Sequence, residues 1–212
     1  MVTESIRPVN DNPGHMTTKR PYILKSRAQR QFETRSRIIE AAEALHGTIG
    51  PSRTTVSEIA RITGVQRLTV YNHFPTEAAL LEACSAHWVA SHPPPAIDGW
   101  EEIPVLHERA VEALTKIYTY FAHNQATFAN VLRDAEAIPE LEAVVAAGLG
   151  AYLDRVATVL ARGSPARGRR RIRLRATIGL ALQFASWRRL AHGGLDPYAA
   201  ATLMADLIDA AA

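Results

Sequence analysis

Residues 54–74 read Thr54-Thr55-Val56-Ser57-Glu58-Ile59-Ala60-Arg61-Ile62-Thr63-Gly64-Val65-Gln66-Arg67-Leu68-Thr69-Val70-Tyr71-Asn72-His73-Phe74. Their pattern is that of two short helices joined by a tight turn. Thr55 and Glu58 have the spacing of a capping box, which places a helix start just after Thr55. Val56, Ile59, Ala60 and Thr63 then fall on one face at helical spacing and give that helix a side to bury. Gly64 stands where the chain must turn through a left-handed residue. A second segment keeps Val70 and Phe74 on one side. Gln66, Arg67, Thr69, Tyr71, Asn72 and His73 are left to face elsewhere. This is a helix-turn-helix pattern, in which the second helix is the one that enters a DNA major groove.

Working outward, the positive charge sits on the same part of the chain. The net charge over 212 residues is only +3, with 47% hydrophobic and 21% charged residues. Residues 1–75 nevertheless hold 11 Lys or Arg against 6 Asp or Glu, whereas residues 76–212 hold 13 against 15. A polyanion-binding module needs that asymmetry. The single cysteine, Cys84, excludes an internal disulfide and reads as a buried thiol beside Leu80, Leu81 and Trp88, with a redox sensor as the alternative. The amino-terminal residues lack an apolar signal region, and no uncharged apolar run approaches membrane-spanning length. A soluble, cytoplasmic protein is expected.

The rest of the chain reads as helix. Residues 1–29 contain Pro8, Pro13, Gly14 and Pro21 and are expected to form a flexible basic arm. From it Lys25 and Arg27 could reach phosphates, or the arm could be a solvated tail. Helices are expected over 30–46, 76–91, 105–123, 125–136, 139–162 and 168–192, with a last helix opened by Asp196-Pro197. Phe32, Ile38, Ile39, Ala42 and Leu45 form the core face assigned to the first. No strand pattern or repeat is present, so the fold class is all-α, with about nine helices. The last two helices are apolar around much of their girth and call for partners on more than one side.

Arg37-Ile38-Ile39-Glu40-Ala41-Ala42, Thr54-Thr55-Val56 with Ile59-Ala60, Gly64-Val65, Thr69-Val70-Tyr71-Asn72-His73-Phe74-Pro75 and Leu80-Leu81 closely resemble the N-terminal domain of TetR-family transcriptional regulators. The resemblance covers roughly residues 30–85. It implies a three-helix DNA-binding domain over 30–76 and a helical ligand-binding and dimerisation domain over 77–212. It also implies a homodimer through the last two helices, a palindromic operator in double-stranded DNA, most often repression, and release by a small-molecule effector. The expected DNA contacts are Thr55, Gln66, Arg67, Thr69, Tyr71, Asn72 and His73. Arg67 can read guanine, Gln66 adenine, and Thr69 a thymine methyl. Arg35, Arg37 and Arg53 are further candidates for phosphate. Three positions depart from the family pattern: Glu77 where a lysine is usual, Leu68 in place of a small residue, and Gln66 where serine is frequent.

Candidates for the effector pocket are Trp88, Tyr118, Phe121, Phe128, Arg133, Tyr152, Gln183 and Trp187, each of which could equally be core packing. Arg133-Asp134 reads as an interface or surface pair. Arg167, Arg169, Arg170, Arg171, Arg173 and Arg175 read as a solvated helix start, with a second nucleic-acid patch as the alternative. No metal-ligand spacing, phosphate-binding glycine loop, nucleophile elbow or catalytic triad is present. Neither an enzyme nor a metal or cofactor is therefore expected. Two other functional readings stay open: a non-specific architectural DNA binder, and an all-α interaction protein whose helix-turn-helix does not engage DNA.

Overall fold

The computed structural model describes the backbone from Lys19 to Ala212 and the side chains from Arg27 onward. The described chain falls into two compact units, one up to Ser36 and one from Arg37 to Ala212. Helix α1 runs Lys19–Thr48, longer than the 30–46 expected. Pro21 does not prevent the early start, because a proline in the first turn removes no intrahelical hydrogen bond. The arm expected over 1–29 is thus helical from Lys19. Residues 1–18 and the Lys25 side chain lie outside the described residues. Phe32, assigned to the core face, is 67% exposed. The buried face of α1 begins at Ile38, because periodicity marks a face without marking where its partners start.

Helices α2 (Val56–Thr63), α3 (Arg67–His73) and α4 (Glu77–Ser91) follow. Ile38 and Ala42 of α1, Ile59 and Ala60 of α2, Val70 of α3 with Phe74, and Leu80 and Cys84 of α4 bury one another in a single cluster. The Thr55 hydroxyl accepts the Glu58 amide at 3.1 Å, one half of the expected capping box. The other half is missing: the Glu58 carboxylate pairs with Arg61 at 2.6 Å instead of returning to the Thr55 amide. Gly64 closes α2 at φ 69°. Thr76 caps α4 through the Ala79 amide at 3.1 Å.

The larger core is built by α5 (Leu106–His123), α6 (Gln125–Ala135), α7 (Pro139–Val145), α8 (Ala151–Ala161), α9 (Gly168–Leu182), α10 (Phe184–His192) and α11 (Pro197–Ala211). Among its largest wholly buried side chains are Leu114, Ile117, Tyr118, Phe121, Leu160, Ile178 and Ile208. Helix α7 runs into α8 through one π-turn, Ala146–Gly150, where the small residues of Ala-Ala-Gly-Leu-Gly accommodate the wider turn. The helix Pro139–Ala161, with mean hydropathy 1.5 in its most apolar stretch, is long and apolar enough to cross a membrane by length and composition. The expectation concerned uncharged runs, and this helix carries Glu140, Glu142, Asp154 and Arg155. Its Leu141, Tyr152, Val156 and Leu160 are buried against the rest of the protein.

The single helix expected over 168–192 is broken at Gln183, which is extended at φ −77°, ψ 134°. The break releases the Ala181 carbonyl from its helical partner. The Tyr118 hydroxyl takes its place at 2.7 Å. Beyond the break, Phe184 and Trp187 turn into an aromatic group around Phe121, at ring separations of 5.5 and 5.9 Å. Asp196 caps α11 through the Ala199 amide at 2.8 Å, with Pro197 at its first position as expected.

Candidate nucleic-acid interface and the cavity behind it

Burial of Val70 and Phe74 fixes the rotation of α3 and decides which of its side chains face water. Gln66, Arg67, Leu68, Tyr71 and Asn72 are exposed, while Thr69 and His73 are half-buried. Arg67 lies one turn before Tyr71 and Leu68 one turn before Asn72, so four side chains form two adjacent rows. Leu68, set aside in the sequence as a departure, is 66% exposed in the middle of this face. A large aliphatic side chain held out in water among polar neighbours is the kind of group that contacts a thymine methyl.

The flanking candidates are partly committed within the protein. The Thr55 side chain is exposed, but its hydroxyl caps α2. An Arg37 guanidinium nitrogen donates to the Thr63 carbonyl at 3.4 Å, holding the end of α2. Arg53 Nε donates to the Ile49 carbonyl at 2.7 Å, which orients that side chain off the turn before α2. Arg27 and Arg35 are exposed on the unit that ends at Ser36. Glu77 is exposed in the first turn of α4, where a carboxylate favours the helix dipole.

Helix α6 holds the turn between α1 and α2. Asn130 donates to the Gly47 carbonyl at 2.8 Å, and the Asp134 carboxylate accepts the Ser52 amide at 2.9 Å. Arg133 braces both residues, with Nε on Asp134 at 2.8 Å and Nη1 on Asn130 at 3.0 Å. Asp134 is only 5% exposed while Arg133 is exposed, so of the two readings, interface or surface pair, the carboxylate fits a contact between elements, a clasp of α6 on the turn. Burial pushes its carboxyl pKa up, but hydrogen bonds from Arg133 and Ser52 outweigh this and hold it below the ordinary value. Gly50 sits inside the clasp at φ 95°. A Cβ there would lie 2.4 Å from Arg133 Nη2 and 2.5 Å from Asp134 Oδ2.

Beside the clasp is a cavity of about 110 Å³. Glu43, His46 and Pro51 wall it on one side, and Trp88 with its α4 neighbours on another. Thr127, Phe128 and Val131 of α6 and Leu141 and Val145 of α7 complete it. Of the eight pocket residues expected from sequence, only Trp88 and Phe128 line it. Tyr118, Phe121 and Trp187 are buried in the aromatic core, and the Tyr152 hydroxyl donates to the Pro95 carbonyl at 3.0 Å. Gln183 and Arg133 are exposed. Core packing, the alternative reading, accounts for the four buried aromatics. His46 carried no signal in the sequence, since its burial depends on α6 and α7, a hundred residues away. It is 8% exposed, and burial lowers its pKa to about 4 against a partial upward pull from Asp134.

Fold and surface together define an all-α protein with a helix-turn-helix domain packed as one cluster. Residues 38–84 match the family model described as bacterial regulatory proteins, tetR family. The chain is 32% identical over 109 residues to the HTH-type transcriptional regulator TtgR of Pseudomonas putida, covering 45% of this chain and 52% of the relative. The same identity and coverage hold for the probable HTH-type transcriptional regulator ArpR of Pseudomonas putida. The chain thus spans about half the length of the curated relatives it matches. Its fold is that of a solved TetR-family transcriptional regulator from Rhodococcus sp., with TM-score 0.55 and 17% identity over 84% of this chain and 98% of that one. RolR in complex with resorcinol gives TM-score 0.51 at 17% identity, over 86% and 89% of the two chains. Residues 38–84 are thus similar to the DNA-binding segment of that family, and the whole chain shares the fold of its solved members.

Proposed function

We propose that this protein is a cytoplasmic, ligand-responsive transcriptional regulator and not an enzyme. In this reading it is a repressor that binds a palindromic operator as a homodimer and is released by a small-molecule effector. The observation that carries the reading is the exposed face of α3. Arg67, the outward Leu68, Tyr71 and Asn72, with Gln66 just before them, stand on a helix whose opposite side buries Val70, with Phe74 beyond it. Arg67 serves guanine O6 and N7, Gln66 serves adenine, and Leu68 with Thr69 serves a thymine methyl. Tyr71 and His73 hold the backbone, with Thr55, Arg37 and Arg53 at its phosphates and Arg27 and Arg35 contributing further positive charge. The domains follow as 30–76 for DNA and 77–212 for effector and dimer.

The dimer half of the reading is supported by an unusual outer surface. Ile172 and Leu180 of α9 are 69% and 51% exposed, and Leu203 and Leu207 of α11 are 42% and 47% exposed. Exposed apolar side chains gathered on two neighbouring helices mark an association surface. Two-fold pairing of these helices would bury them and would match a palindrome. For the effector, the cavity behind α4 and α6 is the candidate site; RolR, whose fold this chain shares, has been solved with resorcinol.

The test is selection of bound duplexes from a random pool at two salt concentrations. A palindrome should be enriched, lost in Tyr71→Ala and relaxed at one base position in Arg67→Ala. Salt-sensitive retention without enrichment would support an architectural binder instead. No retention at low salt would mean that the helix-turn-helix does not engage DNA.

A further inference from the structure

The size and lining of the cavity beside the clasp narrow the kind of molecule it could hold. Its volume, about 110 Å³, lies just under that of an apolar cavity of about 150 Å³ that stays dry and takes up benzene. The space is thus on the scale of a single ring. Leu81, Phe128, Val131, Leu141 and Val145 make its wall predominantly apolar. A charged ligand would lose its hydration there without recovering it. The carboxylate at the rim, Glu43, is already engaged with His87 Nδ1 at 2.6 Å.

Of the polar side chains on the wall, Glu43, Ser85 and Thr127 are half-buried and His46 alone is buried. His46 is more than nine-tenths buried and stands between this cavity and a second hollow lined by Val56, Ile59, Tyr71 and Phe74. Its ring has no hydrogen-bond partner among the described residues, and its low pKa keeps it neutral near pH 7. A neutral imidazole offers one donor and one acceptor nitrogen, and buried polar groups of this kind are normally satisfied.

We infer that this cavity binds a neutral, single-ring aromatic ligand carrying one hydrogen-bonding substituent, with His46 as its polar anchor. The inference rests on the effector reading of the cavity and narrows it to a ligand class. It also gives the ligand a short route to the DNA-binding domain. Pro51 in the cavity wall precedes Ser52, the residue that Asp134 holds, and Thr127 and Val131 in the opposite wall belong to the helix that carries Asp134. An occupant therefore touches residues that flank both halves of the clasp.

The experiment is calorimetric titration of the full chain with phenol, benzene and benzoate near pH 7. Phenol should bind with one site per chain, more tightly than benzene, and benzoate should not bind. His46→Phe should weaken phenol by about three- to tenfold, the worth of one neutral hydrogen bond, and leave benzene unchanged. Val145→Trp, which fills the cavity, should abolish both. Absence of phenol binding, tighter binding of benzoate, or equal losses of phenol and benzene in His46→Phe would overturn the inference. Should His46→Phe not fold, the ring-nitrogen NMR shifts of His46 in the unmodified protein carry the test, and a ring that does not respond to phenol overturns its role. Operator affinity with and without phenol separates the two readings. Phenol that binds without changing operator affinity leaves the site standing and removes its effector role.

Discussion

The carboxylate of Asp134 accepts the Ser52 amide at 2.9 Å across 82 residues of sequence. This bond ties α6 of the larger core to the turn that launches α2. Asp134→Ala would leave the amide without its acceptor and Arg133 without its partner. A charged hydrogen bond removed from a buried site costs about 2–4 kcal/mol, so the urea midpoint should fall with an unchanged slope. Operator affinity should also fall, because the turn positions α2 and through it α3. Unchanged stability would show that the clasp is incidental.

Gly50 and Gly64 both have positive φ, at 95° and 69°, yet alanine should affect them unequally. At Gly64 nothing lies within 4 Å of a Cβ, so the cost is the left-handed backbone alone, about 1–2 kcal/mol. At Gly50 the same strain adds to a collision with Asp134 Oδ2 at 2.5 Å. Arg133 can swing aside, but Asp134 is held by Ser52. Gly50→Ala should therefore cost about 2–4 kcal/mol, visibly more than Gly64→Ala in parallel denaturation curves.

Acid should weaken the protein through His46 before its carboxylates titrate. In the unfolded chain this imidazole protonates near 6.5, whereas in the fold it does so near 4. Between these values the unfolded state binds more protons, so stability falls as the pH falls through that window. The contribution is complete above about 6.5 and amounts to about 3 kcal/mol. Asp134 adds a separate loss below the ordinary carboxylate pKa, because its folded value is held lower. Denaturation midpoints between pH 7 and 4 should fall for the unmodified protein and stay flatter for His46→Phe. Parallel profiles would assign the acid sensitivity elsewhere.

The break between α9 and α10 depends on Tyr118. Its hydroxyl satisfies the Ala181 carbonyl at 2.7 Å on a wholly buried residue. Tyr118→Phe keeps the ring and leaves that carbonyl unpaired, at a cost of about 1–3 kcal/mol. Stability should drop without any change in operator affinity, as the site lies far along the chain from α3. A loss of DNA binding at full stability would contradict this assignment.

What could be read from the sequence follows the range of the interactions involved. The helix-turn-helix was legible because its determinants are local. Thr55 caps within three residues, Gly64 turns within one, and Val70 and Phe74 mark the buried side of α3. The α9–α10 break was not, because Gln183 carries no breaker and the group that stabilises the break is 63 residues away. The partner of Asp134 and the burial of His46 were not legible for the same reason: a clasp and a cavity wall exist only once α6 has packed on the α1–α2 turn. The aromatic candidates failed in the opposite way. Tyr118, Phe121 and Trp187 have pocket-like chemistry, but they are buried in the aromatic core and do not line the cavity beside the clasp.

The outward leucines of α9 and α11 give the remaining prediction. Leu180 and Leu207 are about half exposed, and a two-fold partner would remove both from water. Introducing a charge on each, as Leu180→Arg with Leu207→Arg, would place four guanidinium groups in the paired surface of a dimer. Like charges facing one another without partners oppose association by several kcal/mol. The double variant should sediment as a folded monomer, with its circular dichroism and acid sensitivity unchanged because His46 and Asp134 lie on other helices. Its operator affinity should fall steeply, since two half-sites bound by linked domains reinforce each other and two independent ones do not. A variant that still sediments as a dimer would move the interface off these helices, and a monomeric variant with full operator affinity would remove the need for a palindrome.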